Sequence, residues 1–271
     1  MAGWLQNWRR RRWLERSSIA EPEWRATVAC QRRLAGLTAT ELARLRDCST
    51  LFLHEKTLEP AGGLELTPDM GLLIAAYACL PILNLGLDYY RGWHSIILYP
   101  AGFLAHHEYT DATGLVHRVQ RCLIGEAWER GPVVLSWADV ADTLKAPGEN
   151  VVIHEMAHKL DRLTGEVNGL PPLHRDMKIA DWSRAFTAAY EHLCREVDRG
   201  RPTALDPYAA ESPGEFFAVV SEAFFGAPDL TIQLYPDVYQ QLKVFYRQDP
   251  LVWMNRIAID SGIDRLSPGV E

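Results

Sequence analysis

Apolar positions along the chain recur mostly with the helical period, and polar capping residues stand where that pattern starts and stops. Thr38-Ala-Thr-Glu41 has the arrangement of a capping box and opens a helix expected to run to about Glu55, and Pro60-Ala-Gly-Gly63 marks a loop. From Met70 to Leu87 the chain carries no charge, close to the length of a membrane span. Pro81, Asn84 and Gly86 interrupt that run, so it predicts a buried helix ending near Pro81 and a short apolar turn toward Asp88, with no membrane span. Residues 176 to 198 form an amphipathic stretch stopped by Gly200 and Pro202. Pro236 to Gln248 reads as a further helix, with Tyr239, Leu242 and Tyr246 on one face. Two segments read as strands: Trp93 to Tyr99, closed by Pro100, and Gly131 to Trp137, whose opening Pro132 suits a sheet edge. The pattern predicts an α+β chain, mostly helical with a small mixed sheet.

Size and composition place this pattern in a packed enzyme-sized body. With 271 residues, 48% of them hydrophobic, the chain can bury a sizeable core, and nine Trp, ten Tyr and eight Phe exclude disorder. A net charge of -7 disfavours general nucleic-acid binding, which needs concentrated positive surface. The exception is local. Arg9-Arg10-Arg11-Arg12 and Arg16, interleaved with Trp4, Trp8 and Trp13, read as a solvated tail or first helix, with contact to a membrane surface or nucleic acid as the alternative. Residues 1–20 are therefore taken as a basic amino-terminal segment and residues 21–271 as the main domain, with a helical subdomain at 21–90. Cys30, Cys48, Cys79, Cys122 and Cys194 are odd in number and scattered, which suits thiols in a reducing compartment. No apolar export segment follows the basic start, so a cytoplasmic location is expected.

The chemistry concentrates in His154-Glu155-Met156-Ala157-His158. An α-helix turns once in about 3.6 residues, so imidazoles at i and i+4 share a face and can point at one ion, with Glu155 placed to take a proton from water at that ion. Val151, Val152 and Ile153 make an apolar start, and Pro147-Gly148-Glu149-Asn150 supplies a turn from which Asn150 can cap the helix. Two partial copies, His54-Glu55 and His107-Glu108, lack the second histidine.

A catalytic zinc takes three protein ligands and an open position, so a third ligand must come from elsewhere. Asp161 and Thr164 stand where a metzincin would carry Gly and His, and Asp161 is better suited to orienting a ligand or capping a loop. The segment from Tyr208 to Phe225 sets Glu211, Glu215 and Glu222 among Phe216, Phe217, Val220, Phe224 and Phe225. Ser212 can cap a helix with Pro213 at its first position, which puts Glu215 in the first turn and Glu211 just outside. Pattern alone leaves all three glutamates open.

"IHEMAHKLD", "DPYAAESPGEFFAVVSEAFF" and "FYRQDPL", together with "CLPILNLGLDYYRGWHSIILYP" and "GPVVLSW", resemble the Mlc titration factor A (MtfA) family of bacterial zinc metallopeptidases, whose core is similar to that of anthrax lethal factor. The resemblance runs from about Leu37 to Leu251. It implies a zincin-like fold, one zinc ion per chain held by His154, His158 and Glu215, and Glu155 as the base. It also implies that Tyr208 stabilises the transition state. The expected activity is aminopeptidase or limited endopeptidase action on a peptide substrate. The expected partner is the transcriptional repressor Mlc, whose capture need not involve hydrolysis.

Overall fold

The computed structural model describes residues 2–29, 31, 33–101, 103–110, 116–123, 125–127, 131–143 and 148–260, with backbone alone at 2–7, 103–110, 116–123, 125–127, 143 and 258–260. The order of elements is α1 (Ala2–Ser17), α2 (Glu21–Ala29), α3 (Ala39–Glu55), β1 (Thr57–Pro60), α4 (Pro68–Cys79), β2 (Ser95–Tyr99), β3 (Phe103–Thr110) and β4 (Val116–Leu123). There follow β5 (Gly125–Ala127), β6 (Val133–Ser136), α5 (Trp137–Thr143), α6 (Val151–Asp161), α7 (Ile179–Asp198), α8 (Pro213–Gly226), α9 (Pro228–Leu234), α10 (Pro236–Tyr246) and α11 (Pro250–Asp260). This is the α+β, largely helical architecture that the periodicity predicts.

Helix starts follow local chemistry. Thr38 accepts the Glu41 N–H while Glu41 reaches back to the Thr38 N–H, which completes the capping box of α3. Thr67 caps α4, with Pro68 at the first turn. Helix α4 is apolar all round because it is packed between α3 and α6, and every residue from Gly71 to Cys79 is buried. Its 12 residues span roughly 18 Å at about 1.5 Å per residue, well short of a bilayer core. Among the described residues no helix is long and apolar enough to cross a membrane.

The main sheet has the order β1-β2-β6-β5, with β1, β2 and β6 parallel and β5 antiparallel to β6. Ile96 and Leu98 of β2 face the core beside Val133 and Leu135 of β6. The expected edge position of the 131–137 strand is corrected here, because β6 has a neighbour on each side. Pro132 is tolerated since it falls one residue before the ladder begins and removes no sheet hydrogen bond. Strand β1 and the antiparallel hairpin β3–β4 were not expected from the sequence pattern.

The helical half closes over an aromatic core. Trp182 of α7 stacks on Phe186 at 4.1 Å and meets Phe217 of α8 and Phe245 of α10. Burying one such ring stabilises the fold by about 2–3 kcal/mol. This packing fixes α8 against α6, and those two helices carry the candidate site. At the other end, Arg10 of α1 bonds Glu55 and Asp88 at 2.8 Å each and Trp13 stacks on His54, so the basic segment is a docked first helix.

Candidate metal centre

Helix α6 begins where Asn150 accepts the Ile153 N–H at 3.0 Å, and burial of Val152, Ile153, Met156, Ala157 and Leu160 holds it rigid. Pro147 of the predicted turn lies outside the described residues. One turn of helix separates His154 from His158, and their Nε2 atoms lie 3.1 Å apart. Helix α8 begins at Ser212, whose hydroxyl accepts the Glu215 N–H at 3.1 Å. Pro213 opens the helix, and Glu215 in its first turn aims back toward α6.

Glu215 Oε2 lies 3.1 Å from His154 Nε2 and 3.3 Å from His158 Nε2. A tetrahedral ion with ligand bonds of about 2.0–2.1 Å separates its ligand atoms by roughly 3.3 Å, so this triangle is the right size for one zinc-like cation. Among the described residues, His154, His158 and Glu215 are the group of ligand-type side chains that could hold a metal ion. A cation also suits the charges, because burial raises the free energy of the ionised Glu215 while the two histidines beside it hold its carboxyl well below the usual range.

The other two glutamates separate by position. Glu222, two turns along α8, turns to the far side of the ring, where its Oε1 lies 2.7 Å from His154 Nδ1 while its Oε2 accepts the Asn150 N–H at 2.6 Å. Glu211 is exposed at the end of the preceding turn. Burial works against protonation of His154, yet hydrogen bonds to Glu215 and Glu222 outweigh it and raise its pKa well above the ordinary value. The sequence offered Glu222 as a ligand candidate and gave no sign of this orienting role, which depends on how α8 crosses α6.

Glu155 is 2% exposed, and its Oε2 has no hydrogen-bond partner in the protein. Burial raises its pKa, against the pull of the two histidines. A buried carboxylate oxygen left without a hydrogen bond is costly, and a polar group arriving at the metal position is the natural partner. Tyr208 sits in the turn Pro207–Ala210, where Asp206 accepts its N–H at 2.9 Å. Its ring centroid is 6.3 Å from that of His154, and the Glu215 carboxylate lies near enough to act on its hydroxyl electrostatically. Burial and the carboxylates of Glu215 and Glu211 push its pKa above the usual phenol range, so it remains a hydrogen-bond donor. Asp161 is a loop cap, as its spacing suggested: it accepts the Gly169 N–H at 2.7 Å, and burial raises its pKa to about 6.

A model of the family described as glucose-regulated metallo-peptidase M90 matches residues 5–247. The chain belongs to that family. The M90 chain is 41% identical over 239 residues to Mlc titration factor A of Klebsiella pneumoniae subsp. pneumoniae, which covers 88% of this chain and 90% of the relative. Mlc titration factor A of Cronobacter sakazakii is 39% identical over 87% of this chain and 89% of its own length. That of Escherichia coli O9:H4 is 40% identical over 82% and 85%. The MtfA resemblance is thereby borne out. Membership in a metallopeptidase family implies a metal ion, and the donor set on α6 and α8 of the M90 chain fits one.

Proposed function

We propose that this M90 chain is a zinc-dependent peptidase with aminopeptidase or limited endopeptidase activity, one zinc ion per chain being held by His154, His158 and Glu215. The observation that carries the reading is the three-atom triangle with edges of 3.1, 3.1 and 3.3 Å beside a buried carboxylate of which one oxygen, Glu155 Oε2, lacks a hydrogen-bond partner. Two imidazoles and a carboxylate are a common catalytic zinc set. When bound, zinc supplies Lewis-acid polarisation and lowers the pKa of water from about 15.7 toward 7.

The chain's own groups perform the remaining work. Glu155 accepts the proton of the attacking water as the new C–O bond forms, then delivers it to the amine nitrogen, so that the peptide C–N bond breaks and the amine leaves. Tyr208 donates its hydroxyl hydrogen bond to the oxygen on which negative charge develops. Glu222 keeps the His154 ring turned so that Nε2 faces the ion position. The 21–271 region acts as the catalytic unit, with residues 21–90 as a helical subdomain and residues 1–20 outside the chemistry. A cytoplasmic setting accords with the free thiols of Cys48, Cys79 and Cys194.

The relatives' name, Mlc titration factor A, favours a second activity: capture of the repressor Mlc, which would tie this chain to regulation of sugar uptake. Such capture could operate without hydrolysis, as a binding protein. One variant separates the two. Glu155→Gln removes the base while leaving the ligands, so peptide hydrolysis should fall by about 10²–10⁴-fold with Mlc binding retained. Hydrolysis at the wild-type rate in that variant would refute the peptidase mechanism.

A further inference from the structure

The basic helix α1 is not used by the chemistry above, and its docking shows which of its arginines are free for other work. Among the described side chains of α1, only one flank meets the body. Arg10 is paired with Glu55 and Asp88, Trp13 lies on His54, and Leu14, one turn after Arg10, is half-buried along the same flank. The opposite flank presents Arg9, Arg11, Arg12 and Arg16 to solvent, with Glu15 as its one acidic member and the Arg9 guanidinium at its edge, 5.4 Å from the Trp13 ring centre. Trp8 lies among them, 48% exposed, with the Arg12 guanidinium 5.3 Å from its ring centre.

Charge is segregated accordingly. Residues 1–20 carry five arginines and one glutamate, a net of +4, which leaves -11 for the remaining chain. A concentrated positive face on an acidic protein selects polyanionic surfaces and orients the protein against them.

We propose that the outer face of α1 is a docking surface for an anionic lipid bilayer, on which the helix lies flat with Trp8 at the headgroup level. Charge complementarity carries the assignment, and shape distinguishes the partner. Indole and guanidinium side by side suit the boundary between headgroups and acyl chains. A strand of nucleic acid needs a concave groove with successive stacking platforms, whereas α1 is convex and its described outer side chains include one aromatic ring, that of Trp8. Arg10 and Trp13 fix the helix to the body, so the docked protein is held in one orientation. The contact is peripheral and reversible, since among the described side chains Trp8 is the one large apolar group on the outer face.

The test is sedimentation of the full chain with vesicles of phosphatidylcholine alone and of phosphatidylcholine mixed with phosphatidylglycerol, at low and high salt. The proposal predicts binding to the mixed vesicles only, lost at high salt as the surface charge is screened. Each arginine near such a surface strengthens binding by about five-fold. The double variant Arg11→Gln/Arg12→Gln should therefore bind roughly 25-fold more weakly, and the variant with all four outer arginines replaced should not sediment. Trp8→Ala should weaken binding several-fold and leave its salt dependence unchanged. Retained melting temperature and metal content confirm that the variants fold. Equal sedimentation with neutral vesicles, none with anionic vesicles, or undiminished binding by the double variant overturns the proposal. So does release from the vesicles by an oligonucleotide at equal phosphate concentration, which would reassign the face to nucleic acid.

Discussion

Glu222 holds His154 from behind. Its Oε1 lies 2.7 Å from His154 Nδ1, and its other oxygen takes the Asn150 N–H at 2.6 Å, so one buried carboxylate fixes both the ring and the start of the helix that bears it. The hydrogen on Nδ1 is thereby committed to Glu222, which leaves Nε2 directed at Glu215 and His158.

Replacing Glu222 by Gln keeps the size and weakens the charge behind the ring. Metal affinity should fall by about 10–100-fold, read by competition with a chelator. Glu222→Ala should in addition cost about 1–3 kcal/mol of stability in urea, because the buried Asn150 N–H loses its acceptor. Unchanged metal affinity in both variants would show that His154 is oriented by α6 packing alone.

Tyr208 acts at a different stage. Its ring lies near His154 and it is 43% exposed, outside the three ligand atoms, so removing the oxygen leaves the ligand triangle intact. Tyr208→Phe should lower kcat by about 10²-fold with metal content unchanged, as measured by peptide hydrolysis beside elemental analysis. A variant as fast as wild type would leave Tyr208 without a part in the reaction.

Gly169 ties the loop after α6 to the start of α8. Its φ is +77°, its N–H goes to Asp161, its carbonyl accepts Trp182 Nε1–H at 2.9 Å, and a Cβ there would meet the Pro213 carbonyl oxygen at 2.6 Å. Gly169→Ala should cost about 1–3 kcal/mol in urea denaturation. It should also weaken metal binding, because Pro213 stands two residues before Glu215. Wild-type stability would mean that the loop yields without moving α8.

Lys56 sets a pH dependence. Its ammonium is buried against the Tyr90 and Trp93 carbonyls at 2.5 Å and over the Trp93 ring at 4.1 Å, and burial lowers its pKa to about 8 from an ordinary 10.5. Between those values the folded state binds fewer protons than the unfolded state, so Lys56 makes stability rise with pH from about 8 upward. Lys159, also lowered to about 8 by burial, adds to the same slope. Lys56→Met should reduce the rise across pH 8 to 9.5 in denaturation midpoints, and a slope equal to wild type would contradict the burial argument.

What the sequence revealed was local. Thr38 with Glu41, Asn150 with Ile153, and Ser212 with Glu215 are contacts three residues apart, so the starts of α3, α6 and α8 and the two histidines one turn apart were legible from spacing. Choosing among Glu211, Glu215 and Glu222 was not, because the contacts that decide it span 61 to 72 residues and depend on the packing of α8 over α6. The site of β6 within the sheet was hidden for a similar reason: β5, which covers its open side, has only three residues. Strand β1 has four residues, three of them exposed, and lacks the alternation that marks a strand. The hairpin strands β3 and β4 carry histidines, arginines and a glutamate in place of a β-branched run, and their pairing is what reveals them.

Zinc content per chain tests the central claim most directly, measured by elemental analysis on purified wild type beside Glu215→Ala, Glu211→Ala and Glu222→Gln. Convergence of His154, His158 and Glu215 predicts one zinc in the wild type, one in Glu211→Ala, retained but weaker binding in Glu222→Gln, and none in Glu215→Ala. A fully loaded Glu215→Ala protein, or a wild type that takes up no metal, would contradict it.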